Sequence, residues 1–545
     1  MHRFRVWAPK AQRVQVVVDG SRVEMAPGDG GWWVVRVDAA GAGTRYGFSL
    51  DGGEPRPDPR SSSQPDGVLG LSEVVDHSCF EWRDARWRAA PFPGSVLYEM
   101  HVGTFTPEGT FDAAIGRLPH LVALGVDAVE LMPVAEFSGD RGWGYDGVDL
   151  YAPHHAYGGP DAMKRFIDAC HTAGQAVVLD VVYNHLGPAG NFLAEFGPYF
   201  TERHRTPWGA AVNFEGPGSD EVRRLVVDNA LAWIRDYHVD GLRLDAVHAI
   251  VDQSPVHILE QLATEVAALV ESTHRPAYLV AETDLNDPRM VRSRDAGGYG
   301  LDAAYADDWH HAVHAALTGE RAGFYADFGS ASILAKAVAH AWVFEGEYSG
   351  FRRRTRGRLV TDLPSHSFLV FAQNHDQVGN RPMGERLSML VDRDRARIAA
   401  ALLLASPFTP MLFQGEEWGA STPFLYFTDH RDAALGRAVG EGRRRELAAF
   451  GWKPEFAPDP QDPATFERSK LSWKEIDEPA HAEMLAWHRN LIALRKRLPA
   501  ASREEVQAAA DERSGELTFS RPGLEVAVNL RDGSCTLRET GTSIV

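Results

Sequence analysis

The sequence predicts an α/β protein: a (β/α)8 TIM barrel with a β-sandwich before it and a small β-domain after it. Three observations carry this. The first ~85 residues are short β-branched and aromatic runs broken by Gly, Pro and Asp. Between residues 96 and 417 come eight short apolar runs, each set off by helical or loop sequence. The last part of the chain is one amphipathic helix followed by short β runs with hairpin-like turns.

The N-terminal runs are FRVWAP (4–9), RVQVVVDG (13–20), GWWVVRVDA (31–39) and TRYGFSLDGG (44–53). Too short to bury much alone, they are expected to pair into an immunoglobulin-like sandwich over residues 1–90. Trp32 and Trp33 are adjacent, so in a strand they face opposite sides, and at most one is core. The other is either a sugar platform or an interface residue, with interface preferred. The stretch PRPDPRSSSQPDG (55–67) is dense in turn residues and reads as either a linker or an ordered loop.

The barrel is expected over 91–465. Its strands are VLYEMHV (96–102), DAVELMPV (127–134), QAVVLDVVYN (175–184), GLRLDAV (241–247), AYLVAE (277–282), LDAAYAD (301–307), SFLVFAQNHD (367–376) and PMLFQGEE (410–417). Strands covered on both faces should be continuously apolar rather than alternating, and VVLDVV and FLVFA are. Helices are predicted for TFDAAIGRLPHLVALG, ending at Gly125, and for 162–174, 221–238 and 256–273. An open doubly wound sheet would ordinarily carry a Gly-rich phosphate loop after its first strand. HVGTF at that place is not one. Residues 466–545 are expected to hold a linking helix (481–500) and the β-domain (516–545).

Composition limits the function. Hydrophobic residues make up 44% and charged residues 24%, an ordinary globular balance, in a chain of 545 residues that needs no staples to bury a core. The net charge of −19 repels phosphate, so no nucleic-acid partner and no anionic membrane is expected. A neutral substrate fits. The three cysteines, Cys79, Cys170 and Cys535, are far apart and lack zinc-type spacing. MHRFRVWAPK has no apolar stretch after its positive charges, and no run of about 18 apolar residues occurs, so a cytoplasmic protein is expected.

In such a barrel the active site lies at the C-terminal ends of the strands. Here those ends carry Asp180, Asn184 and His185 (third), Arg243 and Asp245 (fourth), Glu282 (fifth), and Asn374, His375 and Asp376 (seventh). Any one of these acids could cap a following helix. Several at one depth are hard to explain as independent caps. Two carboxylates facing one substrate are what glycoside hydrolysis requires: one attacks or stabilises the anomeric carbon, the other protonates the leaving oxygen. Arg243 precedes Asp245 by two residues, so both point to one side of the strand, and the guanidinium would keep Asp245 ionised. Glu282 ends an apolar run, a desolvated setting that suits an acid.

The motifs DVVYNH (180–185), GLRLDAVH (241–248), VAE (280–282) and NHD (374–376), in that order, resemble the four sequence regions of the α-amylase superfamily, glycoside hydrolase family 13. The resemblance implies Asp245 as nucleophile, Glu282 as general acid/base and Asp376 as the residue binding hydroxyls of a distorted −1 sugar. It implies that Arg243, His185 and His375 line the same subsite and that Tyr145, in GWGYDG, stacks under that sugar. It also makes the sandwich similar to a carbohydrate-binding module.

Longer stretches, YEMHVGTFTPEGTFDAAI (98–115), AEFSGDRGWGYDGV (135–148), LPSHSFLVFAQNHDQVGN (363–380) and FQGEEWGASTPFLYFTDH (413–430), resemble the trehalose-releasing members of that family. They imply maltooligosyltrehalose as substrate and functional pairing with a maltooligosyltrehalose synthase that builds the trehalose cap. For the trehalose subsites the expected residues are Trp208, His248, Asp307, His310 and Phe351, since a sugar site needs aromatic platforms and polar groups. Asn184 matches a calcium ligand of many α-amylases, but the segment between the third and fourth strands lacks an acidic cluster, and calcium takes several hard oxygens. No metal or other cofactor is expected. The alternatives are a branching enzyme or general α-glucan hydrolase of the same superfamily, and a non-catalytic binding protein on a dead barrel.

Overall fold

The computed structural model describes residues 1–540. The final five positions of the expected β segment 516–545 lie outside the described residues.

The N-terminal part is a two-sheet sandwich. One sheet pairs His2–Trp7 with Trp32–Val37, which also pairs with Ala26–Pro27. The other runs Ser21–Glu24, Val14–Val18, Arg45–Leu50, Ser72–Glu73. Phe4, Val6, Val14, Val16 and Phe48 fill the space between them. Trp32 is the interface residue of the adjacent pair. Its indole donates to Glu221 of a barrel helix at 3.0 Å, and the Arg5 guanidinium lies 3.8 Å from its ring centroid. Trp33 donates back to the Ala8 carbonyl. The turn-rich stretch 55–67 is an ordered loop. Ser61, Ser63 and Gln64 are buried, and Arg60 reaches across to Asp228 at 2.8 Å and to the Tyr151 hydroxyl.

All eight predicted barrel strands form, each a few residues shorter than its apolar run: Leu97–Met100, Ala128–Leu131, Ala176–Val181, Gly241–Leu244, Tyr278–Ala281, Ala303–Tyr305, Phe368–Phe371 and Thr409–Phe413. They pair in parallel in sequence order, and Met411 opposite Leu97 closes the ring. Nearly every strand residue is buried because helices cover the outside while Val178, Val280, Tyr305, Leu369, Phe371 and Met411 fill the inside. Phe92 and Trp87 close the N-terminal end. Trp87 donates to Asp240 at 2.8 Å and Phe92 packs on Tyr278. That leaves the C-terminal end open.

Three barrel helices form where predicted: Gly159–Thr172, Ser219–Asp236 and Ile258–Thr273. The fourth, expected as one helix ending at Gly125, is two: Phe111–Ile115 and Leu118–Leu124. Pro119 lacks the N–H a continuous helix would need there, yet suits the first turn of a new one. Gly125, at φ 96°, ends the second.

Two elements at the open end are absent from the sequence reading. One is the hairpin Phe200–Thr206/Gly209–Val212, with Trp208 at its tip. The other is the helix Ala433–Ala449, after the eighth strand. The helix Pro479–Arg495 packs on the barrel helix Arg393–Ala405, where Trp487 donates to the Arg397 carbonyl. A four-stranded antiparallel sheet follows: Gln507–Asp511, Glu516–Arg521, Leu524–Asn529 and Cys535–Glu539.

Candidate active site

A cleft of ≈530 Å³ opens at the C-terminal end of the barrel. Its floor is built by the strand ends. Arg243, fully enclosed, organises it. Its Nη1 donates to Asp180 and to Asp245, each at 2.8 Å, and its Nη2 lies 3.7 Å from Glu282. One guanidinium therefore addresses three carboxylates from the third, fourth and fifth strands. Asn184 holds Asp245 from the other side, donating to its carboxylate and its carbonyl, each at 2.8 Å.

Asp180, Glu282 and Asp376 differ in setting. Burial pushes the Asp180 carboxyl up to about 7, with Arg243 opposing. Burial also raises Glu282, against the pull of Arg243. Glu282 accepts the backbone N–H of Ala246 at 2.6 Å, and Ala246 adopts φ 39° in the tight turn that presents it. Asp376 sits exposed in the cleft on the short helix His375–Gly379, which Asn374 caps.

A second layer fixes the rings. Glu99, from the first strand, accepts from His375 Nδ1 at 2.5 Å and from the His375 backbone N–H at 2.8 Å. His375 Nε2 lies 2.8 Å from the Tyr145 hydroxyl, which donates to Asp180 at 2.7 Å. That hydroxyl has one proton, so His375 donates through both nitrogens. Burial opposes such an imidazolium, but Glu99 outweighs it and holds the His375 pKa above its usual value. Tyr145 and His375 stack with centroids 5.1 Å apart. Tyr305 lies under Arg243, 5.1 Å from ring centroid to guanidinium, and donates to buried Glu130 at 2.6 Å. Burial and nearby Glu99 push Glu130 up to about 8.

Of the residues expected from sequence, Asp245, Glu282, Asp376, Tyr145, His185, Trp208, Arg243, His248, Asp307 and His375 all line this one cleft. Trp208 is 50% exposed and stacks on His185, centroids 4.4 Å apart and planes 8° apart. Burial lowers the His185 pKa below its usual value. Asp307 starts the helix Asp307–Thr318. Burial and the nearby Glu282, Asp284 and Asp376 carboxylates push its pKa well up.

Two expectations are corrected. His310 is buried one helical turn below Asp307, against Phe371 of the barrel wall and beside His311, and does not line the cleft. Phe351 lies in an outer loop that Asp327 holds by its backbone N–H, with its ring toward Phe324. It too is outside the cleft lining.

Sequence reasoning missed Glu99, Tyr305, Tyr426 and the helix residues Arg443 and Glu446. Glu99 was visible as a lone acid inside an apolar strand. Arg443, in GRRRE, reads as a solvated face. The amide of Asn184 is engaged by Asp245 and faces His185, so it does not present the calcium-type ligand set. Among the described residues, Glu136, His154 and His155 have ligand spacing, but Glu136 accepts from both rings.

The family model described as "Alpha amylase, catalytic domain" matches residues 61–204, and "Carbohydrate-binding module 48 (Isoamylase N-terminal domain)" matches residues 1–62. Barrel, strand-end acids and sandwich together define an α-amylase-type glycosidase. The chain is 53% identical to the malto-oligosyltrehalose trehalohydrolase of Arthrobacter ramosus, over 99% of this chain and 94% of that relative. It is 47% identical to the enzyme of that name from Rhizobium sp. (strain M-11), over 100% and 93%. It is also similar to the 1.4 Å crystal structure of a Salmonella typhimurium protein assigned as an alpha amylase, at 43% identity and TM-score 0.90, over 96% and 90%. The chain belongs to the malto-oligosyltrehalose trehalohydrolase family.

Proposed function

We propose that this chain hydrolyses the α-1,4 bond next to the terminal trehalose of maltooligosyltrehalose, releasing trehalose and a shortened maltooligosaccharide in trehalose biosynthesis from α-glucans. The observation that carries the chemistry is the single Arg243 guanidinium reaching both Asp245 and Glu282. The near-full-length relatives carry the substrate.

In this reading Asp245 attacks the anomeric carbon of the sugar at −1. Glu282 gives its proton to the glycosidic oxygen, which leaves as the 4-hydroxyl of trehalose. Water, losing a proton to Glu282, then displaces Asp245 and restores the α configuration. Asp376 holds hydroxyls of the distorted sugar. Arg243 holds Asp245 in place at 2.8 Å, while burial raises the Glu282 pKa and so favours its role as the acid. No metal or other cofactor takes part.

Trp208, His248 and Asp307 form part of the trehalose subsites. A half-exposed indole backed by His185 offers an apolar platform, and His248 and Asp307 offer polar contacts on the Glu282 side of the cleft. Trp208→Ala should narrow the preference for trehalose-capped over plain chains, read as the ratio of kcat/KM on the two. An unchanged ratio would remove Trp208 from the subsite.

The product assay decides the function. Maltotriosyltrehalose and maltopentaose, of equal length, are given to purified protein. Rapid trehalose release from the first with slow attack on the second is expected. Equal attack would make the protein a general α-glucan hydrolase, and longer branched products a branching enzyme.

The chain is placed in the cytoplasm, where the unpaired Cys79, Cys170 and Cys535 fit a reducing compartment. There it would work on the product of a maltooligosyltrehalose synthase. No helix among the described residues is long and apolar enough to cross a membrane.

A further inference from the structure

The helix Ala433–Ala449 contributes Val439, Gly442, Arg443 and Glu446 to the wall of the cleft. Arg443 is the buried one of its charged groups on that wall, 9% exposed. Its Nη1 donates to Asn380 Oδ1 at 2.5 Å and its Nη2 to the Gly379 carbonyl at 2.8 Å. The Asn380 amide nitrogen donates to Asp376 Oδ1. The Tyr426 ring lies beneath the guanidinium, 5.4 Å away.

Chemistry fixes the direction of this chain. Arginine only donates, so the Asn380 oxygen must face Arg443, and the NH₂ is left for Asp376. Both carbonyl acceptors of Arg443 belong to the segment that closes the Asp376 helix. One guanidinium thus fixes both the end of that helix and the orientation of its asparagine. Without it the amide is free to turn its oxygen toward the carboxylate, and Asp376 loses its anchor. With it, Oδ1 is tied back and Oδ2 is left for the substrate.

We propose that Arg443 is a positioning residue for the reaction. Acting through Asn380, it fixes the Asp376 carboxylate in the geometry that the strained sugar requires, so that the helix after the eighth strand completes the catalytic constellation. The inference rests on the glycosidase reading above, but not on the choice of trehalose.

The test is a double-mutant cycle on maltotriosyltrehalose and maltopentaose. Arg443→Met should lower kcat roughly ten- to a hundredfold, as small misplacements of a reacting group do, with KM little changed. Arg443→Lys, which keeps one donor for Asn380, should recover part of the loss. In an Asp376→Asn background, whose slow residual rate is followed over hours, Arg443→Met should cost nothing further. A general packing defect would instead multiply the two losses. Should Arg443→Met fail to fold, Asn380→Ser removes the same link without touching the helix, and the same kcat loss and the same non-additivity are expected.

An unchanged kcat in either variant, or multiplied losses, would overturn the proposal. A wild-type protein that cleaves maltopentaose but frees no trehalose overturns the trehalose reading while the cycle stays readable on maltopentaose. Absence of turnover on both substrates overturns both.

Discussion

Asp245→Ala is expected to lower kcat/KM for maltotriosyltrehalose by about 10³-fold or more, as loss of a member of a catalytic unit does. It should leave binding of the same compound close to wild type by calorimetry. The reasoning is local. Asp245 stands at the end of the fourth strand, held by Arg243 and Asn184. Truncation removes the only group in this reading that can form the covalent bond to the anomeric carbon. It does not empty the floor, because Arg243 keeps its contact with Asp180 at 2.8 Å, so the guanidinium stays paired. The subsites that hold the rest of the sugar are untouched. A protein that only binds glucans would keep its whole function in this variant, and rapid trehalose release by Asp245→Ala would remove Asp245 from the nucleophile's role.

The parts of the site legible in the sequence are those that the barrel itself positions. A strand of a parallel barrel is short, apolar and buried on both faces, so a charged residue at its end stands out, and its depth follows from the strand. Arg243, Asp245 and Glu282 were read in that way. Residues brought in by loops and added elements follow no such rule. Trp208 was placed in a loop, yet the platform proposed for it depends on a hairpin that sets it on His185, and no periodicity in TPWGAAV announces that pairing. Arg443 sits in a run of charges that looks like a solvated helix face. It is buried because the helix sets it against Gly379, Asn380 and the Tyr426 ring. His310 shows the opposite error. Three residues after Asp307 is near in sequence, but on a helix it is about 4.5 Å along the axis, enough to move a side chain from the cleft into the packing behind it. The split at Pro119 was legible in principle, since proline carries its own helix boundary.

Glu282→Gln should lower kcat by about 10²- to 10⁴-fold and abolish the alkaline limb of the pH–rate profile. Five influences set the acidity of Glu282: burial, Arg243, Asp245, His248 and the Ala246 N–H. Burial and the like charge of Asp245 favour the protonated form. Arg243, His248 and the N–H favour the anion. Burial prevails, and the pKa lies above the ordinary glutamic acid value. The sign then follows. A raised pKa means the proton is kept to higher pH, so the wild-type rate should hold through mildly acidic conditions and fall as pH rises through that pKa. Glutamine has no proton to give at any pH, so the fall disappears with the function. The loss should also depend on the leaving group. An α-glucosyl fluoride, whose fluoride departs without needing a proton, should form the glycosyl–enzyme in Glu282→Gln far more readily than maltotriosyltrehalose does. An added anionic nucleophile such as azide, which needs no base, should then speed its turnover. Asp245→Ala should accumulate no glycosyl–enzyme; there azide can only replace the missing carboxylate and give the inverted β-glucosyl azide, whereas Glu282→Gln gives the α-azide. If both variants gave the azide of one configuration, or if Glu282→Gln kept the alkaline limb, the division of labour between the two carboxylates would have to be redrawn.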